Sequence, residues 1–355
     1  MQQHATSDLT QRLATYLCKQ MPAARSLRVE GLTRIVGGAS RETWSFDAVW
    51  QENAVERHRG FILRRDPDAG LLESDRALEY RAYRAFANSE VPVPAVYWLE
   101  REPEPLGRPF FIMERIDGCR TDGNFLGAQP DDERKLRLAQ RKFAILGALH
   151  RADPVALGLA DIDPLGIPSP ENAARRQLDH WERIVDQQAQ EPLPIVRLAV
   201  AWLRSHLPPP AQRIVVCHGD FRSGNFLYDY EAGEIRGVLD WEMVHLGDPL
   251  EDLAWTCLLN WRYGGASPAG GGSDRIGGLV ERETAFRLYE AASGVRVDET
   301  ALRWWDVFSH VKAVGIWITG GRSFADGRTN QPFMALIPRL LNGVQEQALL
   351  DLLGW

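Results

Sequence analysis

Short runs of β-branched and aromatic residues, broken by turn signals, occupy the first ~115 residues. Leu32–Ile35, Glu42–Val49, Gly60–Arg64, Ala95–Glu100 and Phe110–Glu114 each predict a strand. Between the third and fourth, Asp75–Phe86 (DRALEYRAYRAF) has helical composition, with Ser74 placed as its N-cap. Val91-Pro92-Val93-Pro94 is stiff and extended and introduces the next strand. Beyond residue 116 the period lengthens. Lys135–Arg151 sets Leu138, Phe143, Leu146 and Leu149 near helical spacing, and Asn172–Gln190 and Pro194–Leu207 predict two further helices. A short β segment spans Ile214–Asp240, and helices return from Pro249. The Gly/Ser-rich stretch Tyr263–Gly278 predicts a mobile surface loop. The pattern is therefore α+β. A small strand-rich lobe with one helix (1–115) precedes a larger, mainly helical lobe (116–355) with an embedded β-hairpin.

Composition narrows the classes without choosing among them. Hydrophobic residues make up 45% and charged residues 25% of 355, which excludes wholesale disorder. The charge balance of 41 basic against 48 acidic residues gives −7. A chain working mainly on nucleic acid or an anionic membrane would want a basic surface, so neither is expected. Cys18, Cys119, Cys217 and Cys257 lack CxxC spacing, and reduced thiols in a cytoplasmic protein are expected. Met1–Thr10 is polar, so no signal peptide is expected, and no apolar run approaches a membrane span.

The chemistry concentrates in Val216–Ala254, VCHGDFRSGNFLYDYEAGEIRGVLDWEMVHLGDPLEDLA. An apolar strand ends in His218-Gly219-Asp220. Asn225–Asp229 and Ile235–Asp240 read as a hairpin turning around Gly233. Antiparallel pairing about that turn sets Asp240 beside Asn225, at the end remote from the turn. Asp220 lies five residues before Asn225, within reach of the same end. Two carboxylates and an amide oxygen so gathered repel or desolvate one another unless a cation is present. Magnesium takes such hard oxygen ligands and completes its shell with phosphate and water. A ligand pair (Asn225, Asp240) with a free carboxylate (Asp220) suits phosphoryl transfer to an alcohol.

HGDxxxxN, followed by DWE and then GDPLEDLA, resembles the aminoglycoside phosphotransferase family, a branch of the protein-kinase-like fold. The resemblance runs from about Leu32 to Leu258. It implies a bilobal fold, ATP and Mg2+ as cofactors and a small-molecule hydroxyl acceptor. It makes Asp220 the catalytic base, and Asn225 and Asp240 the metal ligands. Val36–Trp44, with Gly38 and Ser40, resembles the nucleotide-covering loop. Arg64 stands where the kinase strand motif has lysine, and Glu79 where the helical glutamate pairs with that cation. Met113-Glu114-Arg115 resembles the hinge whose backbone holds adenine. Asp248 and Asp252 match the element that buttresses the metal-ligand segment, and His218 is expected to brace its loop. Arg176–Trp181 is similar to a subgroup, the kinase-like domain joined to acyl-CoA dehydrogenases, which favours a hydroxyacyl acceptor over an aminoglycoside or sugar. Trp181, Trp255 and Trp261 are candidates for the acceptor wall. Two rivals are a catalytically silent nucleotide-binding module and a metal-dependent hydrolase built on His218, Asp220 and Asp240.

Overall fold

The computed structural model describes residues 2–35, 42–66, 76–262, 273–329 and 331–355. The chain opens with helix α1 (Gln2–Gln20) and the strands β1 (Arg25–Ile35), β2 (Glu42–Glu52) and β3 (Val55–Arg65). Helix α2 (Arg76–Phe86) leads to β4 (Val96–Glu100) and β5 (Phe110–Glu114). The five strands form one antiparallel sheet in the order β1-β2-β3-β5-β4. Residues on β5 alternate between two cores, as a period of two requires. Phe110 and Ile112 join Leu9, Leu13, Tyr16 and Leu17 of α1 on one face. Phe111 and Met113 join Tyr83 and Phe86 of α2 on the other.

Helix α1 corrects the expectation of a single helix in this half. Its apolar signal, Leu9, Leu13, Tyr16 and Leu17, is a narrow stripe at i, i+4, i+7 and i+8 in an otherwise polar segment. The predicted N-cap Ser74, and Gly38 and Ser40, lie outside the described residues.

The second half begins with α3 (Gly123–Ala128), α4 (Asp132–Arg151), α5 (Ala173–Gln188) and α6 (Pro194–Ser205). Then come β6 (Val215–Cys217), the hairpin β7 (Phe226–Asp229) and β8 (Glu234–Val238), and β9 (His245–Gly247), which pairs with β6. Helix α7 (Pro249–Cys257), the short hairpin β10 (Arg275–Ile276) and β11 (Val280–Glu281), and α8 (Arg282–Ser293), α9 (Glu299–Ala325) and α10 (Pro332–Leu353) complete the chain. Helix α9 is buried on every side through most of its length, so it is the axis around which this half packs.

The Gly/Ser-rich stretch departs from its expectation at its C-terminal end. Ile276 is fully buried, and the Gly277 carbonyl accepts a hydrogen bond from the Ser223 hydroxyl at 3.2 Å. That end is therefore packed against the 218–225 loop. No described helix is long and apolar enough to cross a membrane.

Candidate active site

The loop that carries Asp220 begins where β6 ends. Gly219 has φ +83, and a Cβ there would lie 2.4 Å from the Met243 carbonyl oxygen, so only glycine fits. The loop is braced from three directions. The backbone N–H groups of His218 and Gly219 donate to the two oxygens of Asp252, at 2.7 and 2.9 Å. His218 Nε2 donates to the Leu239 carbonyl at 2.9 Å while its Nδ1 accepts from the Asp220 N–H at 3.1 Å, so His218 braces the loop as expected. Burial, the largest influence on His218, favours the neutral ring that this arrangement uses. Asp248 caps α7 by accepting from the Leu250 N–H at 2.8 Å.

Asp220 is held in a fixed orientation. Its Oδ2 accepts from Asn225 Nδ2 at 2.7 Å, and its Oδ1 accepts from the Trp255 indole N–H at 2.6 Å. Arg222 Nε lies 3.0 and 3.1 Å from the two oxygens. The Asn225 amide nitrogen also reaches the Asp220 carbonyl at 2.9 Å. That commits the nitrogen to Asp220 and leaves the amide oxygen as the group a cation can take.

The hairpin brings Asp240 to the same place, with a register one residue off the simple count. A bulge between Leu227 and Tyr228 shifts the pairing, so Phe226 faces Val238 and the Leu239 N–H donates to the Asn225 carbonyl at 2.8 Å. Asp240 follows in the left-handed region (φ 67), and its N–H donates to the Tyr83 hydroxyl at 3.0 Å. Trp241 then plugs the core, its indole N–H on the Val238 carbonyl and its ring stacked on Phe86 at 4.8 Å.

From the sheet, Arg64 Nη2 reaches both Glu79 at 2.9 Å and Asp240 at 2.7 Å. Glu79 is fully buried. Burial, the largest influence, works against the Asp240 charge, but Arg64, then Arg222, outweigh it and hold the carboxyl below the usual range. Arg64 loses to burial and gains more from Glu79 and Asp240, so its pKa rises. Asp240 and the Asn225 oxygen form an all-oxygen donor set suited to a hard divalent ion such as Mg2+.

Arg64, Asp220, Arg222, Asn225, Asp240 and Trp255 line one cavity of about 780 Å³ between the sheet and the helices. Met113, Glu114 and Arg115 border it at the end of β5. The backbone amides of Glu114 and Arg115 are already spent on the carbonyls of Ala95 (2.8 Å) and Gly60 (3.3 Å). The Arg115 side chain pairs with Asp47 and Asp117, at 2.8 Å each. Ile116, just past the end of the strand, also lines the cavity.

Trp255 and Trp261 line the cavity beyond Asp220, together with Trp317 of α9 and Ile337 of α10. Trp181 does not. It is buried in the core between α5 and α9, a Cβ at Gly315 would lie 3.0 Å from its ring, and so it is a packing residue. Arg222, whose guanidinium also lies 4.6 Å from the Trp261 ring centroid, was not singled out from the sequence. Its signal was its place inside HGDFRSGN, two residues after Asp220.

The model of the phosphotransferase enzyme family matches residues 32–290. Among curated proteins, acyl-CoA dehydrogenase family member 10 of Mus musculus is 34% identical over 203 residues, covering 56% of this chain and 18% of that protein. Acyl-CoA dehydrogenase family member 11 of Gallus gallus is 26% identical over 313 residues, covering 86% of this chain and 38% of that protein. The matched part thus spans well under half the length of these relatives. Among solved structures, an aminoglycoside phosphotransferase candidate from Ralstonia eutropha superposes with a TM-score of 0.71 at 22% identity, covering 96% of this chain and 97% of the other.

Proposed function

The chain belongs to the phosphotransferase enzyme family, and on that premise we propose an ATP-dependent small-molecule kinase that transfers the γ-phosphate to a substrate hydroxyl. The observation that carries the proposal is the meeting of Asp220, Asn225, Asp240 and Arg64 in one cavity, from segments up to 176 residues apart. Residues 1–115 would hold the nucleotide, and 116–355 would supply the catalytic groups and the acceptor wall.

Asn225 and Asp240 would hold Mg2+, which when bound neutralises phosphate charge. Arg64, steadied by Glu79, supplies a fixed cation for the α/β-phosphates. The Asp220 carboxylate orients the acceptor hydroxyl and takes its proton as the new bond from the hydroxyl oxygen to the γ-phosphorus forms and the bond to the β–γ bridging oxygen breaks, with ADP leaving. Its three donors fix the carboxylate so that an incoming hydroxyl meets a defined geometry.

The acceptor wall has a chemical character of its own. Trp255, Trp261, Ile316, Trp317, Phe333 and Ile337 present aromatic and aliphatic surface next to Asp220. A polycationic aminoglycoside would want carboxylates there, and none of these wall residues carries one. An alcohol on an apolar body, such as a hydroxyacyl compound, fits better than an aminoglycoside or sugar. The names of the curated relatives, acyl-CoA dehydrogenase family members, agree with that preference.

The test is a metabolite-library screen that reads ADP release, with Asp220→Ala as control. Removing the base should cut turnover by on the order of 10²–10⁴-fold while sparing nucleotide binding in calorimetry. Asp240→Ala should lose magnesium-dependent binding as well. Nucleotide binding without ADP release on any hydroxyl acceptor would favour the silent binding module instead.

A further inference from the structure

Helix α9 carries one lysine in Val307–Gly321, a stretch with no other Asp, Glu, Lys or Arg, and it is buried (1% exposed). A charge in such a place is costly unless its partners are fixed. Lys312 Nζ has two hydrogen bonds, to the Gly219 carbonyl at 2.8 Å and to Glu251 Oε1 at 2.9 Å. The ammonium also lies 4.9 Å from the ring centroid of Trp255 and 5.7 Å from that of Trp181. Glu251, itself fully buried, receives His245 Nε2 at 2.9 Å on its other oxygen, and His245 Nδ1 donates to the Met243 carbonyl at 2.9 Å. A single ammonium group therefore touches the backbone immediately before Asp220 and the indole that donates to Asp220 Oδ1.

We propose that Lys312 is a positioning residue: it fixes the Gly219 carbonyl and the Trp255 ring, and through both the orientation of the Asp220 carboxylate. This rests on the reading of Asp220 as the base. The geometry explains the expense. The Gly219 carbonyl and the Asp220 N–H are the two ends of one peptide plane; His218 holds the N–H end and Lys312 holds the carbonyl end, so the plane before Asp220 is fixed from both. The indole cannot turn away from Asp220 without leaving the ammonium that lies against its ring.

The experiment compares Lys312→Met, Lys312→Arg and the double variant Lys312→Met/Glu251→Gln in the full chain. The probe is ADP release from Mg·ATP with water as acceptor. The double variant removes the buried carboxylate that the single one leaves without its lysine. A purely structural role then predicts recovery of both melting temperature and turnover. Positioning predicts that the melting temperature recovers while kcat stays about 10²-fold down, with KM for Mg·ATP little changed, since small misplacements of a catalytic group cost that much. Lys312→Arg, which keeps the charge and the donors, should regain a large part of kcat. A double variant that folds like wild type and turns over within a few-fold of it would overturn the proposal. So would a loss confined to KM. A second readout does not need turnover: the Trp255 indole 15N–1H resonance, assigned with Trp255→Phe, should move in Asp220→Asn and in the double variant alike. If it keeps its wild-type position in the double variant, Lys312 does not position the indole. Absence of ADP release by the wild-type protein with every hydroxyl acceptor of the library would count against phosphotransfer, and the indole resonance would still decide the role of Lys312.

Discussion

Replacing Asp252 by asparagine tests how the catalytic loop is held, because the change is almost isosteric and removes one acceptor. Each Asp252 oxygen serves a different backbone N–H, His218 at 2.7 Å and Gly219 at 2.9 Å, and Oδ2 also lies 3.3 Å from His150 Nε2. Asparagine has a single acceptor oxygen, so its NH2 group would face one of these N–H groups. Losing one charge-assisted hydrogen bond and stranding a buried donor costs ~3 kcal/mol. Protonation equilibrium gives a second route to the magnitude. Burial, the largest influence, would raise the Asp252 carboxyl, but the hydrogen bonds from the His150 side chain and the His218 backbone bring it down to about 2, against an ordinary 3.8. That gap corresponds to ~2.5 kcal/mol of folding stability. Because the folded state depresses this pKa, the contribution is fully present above pH ~4 and is lost as pH falls toward 2. Urea denaturation followed by tryptophan fluorescence, from pH 7 down to 3, measures both statements. The asparagine variant should be less stable by ~3 kcal/mol at pH 7, and the difference should narrow at the acid end. A deficit under ~1 kcal/mol at pH 7, or one independent of pH, would refute the account.

Two further outcomes follow from the same neighbourhood. Gly219→Ala would place a Cβ 2.4 Å from the Met243 carbonyl at a left-handed φ. The left-handed backbone alone costs ~1–2 kcal/mol, so urea denaturation should show at least that loss, together with a fall in kcat. Asp248→Asn should stabilise the protein above pH 6. Burial, the largest influence, raises the Asp248 carboxyl to about 6, so the folded state prefers its protonated form. Its stabilising contribution is present below pH ~4 and is lost as pH rises through 6. Asparagine caps a helix as well as aspartate does and carries no charge to desolvate. The stability difference between variant and wild type should therefore grow between pH 4 and 7.

Much of the site was legible because its residues lie in one segment. HGDxxxxN and DWE are local patterns, and hairpin arithmetic places Asn225 and Asp240 at one end without knowledge of the rest. That arithmetic missed the bulge between Leu227 and Tyr228, since counting outward from a turn assumes one partner per residue and a bulge sets two residues opposite one. Arg64 and Glu79 were legible only through resemblance. Nothing local says that an arginine ending a strand will reach Asp240, 176 residues away. Trp181 failed for a related reason. A tryptophan on an amphipathic helix offers the same pattern whether its ring faces a cavity or the core, and only the approach of Gly315 decided it. Helix α1 hid because its apolar stripe is narrow against a polar background.

The supports behind the loop were the least legible part, and the reason is energetic. Apolar residues declare a face by periodicity, but a buried charge declares nothing until its partner is found. Helix α9 is buried on all sides, so its pattern carries no face on which to place Lys312. The available signal was the anomaly itself, one lysine where every neighbour was destined for the core. The same reasoning applies to Asp252 and Glu251 on α7, a helix in which every residue is buried. Such groups persist only where backbone N–H groups, a histidine or a lysine satisfy them. Here those partners are His218, Gly219, His150, His245 and Lys312, so the buried polar groups of α7 and α9 converge on the loop before Asp220. A loop that must hold a left-handed glycine and a fixed carboxylate cannot rely on apolar contacts, which are indifferent to rotation about a peptide plane. Directional bonds from rigid helices supply that restraint. Ionised residues that look misplaced in the helical core thus belong, by contact, to the candidate site.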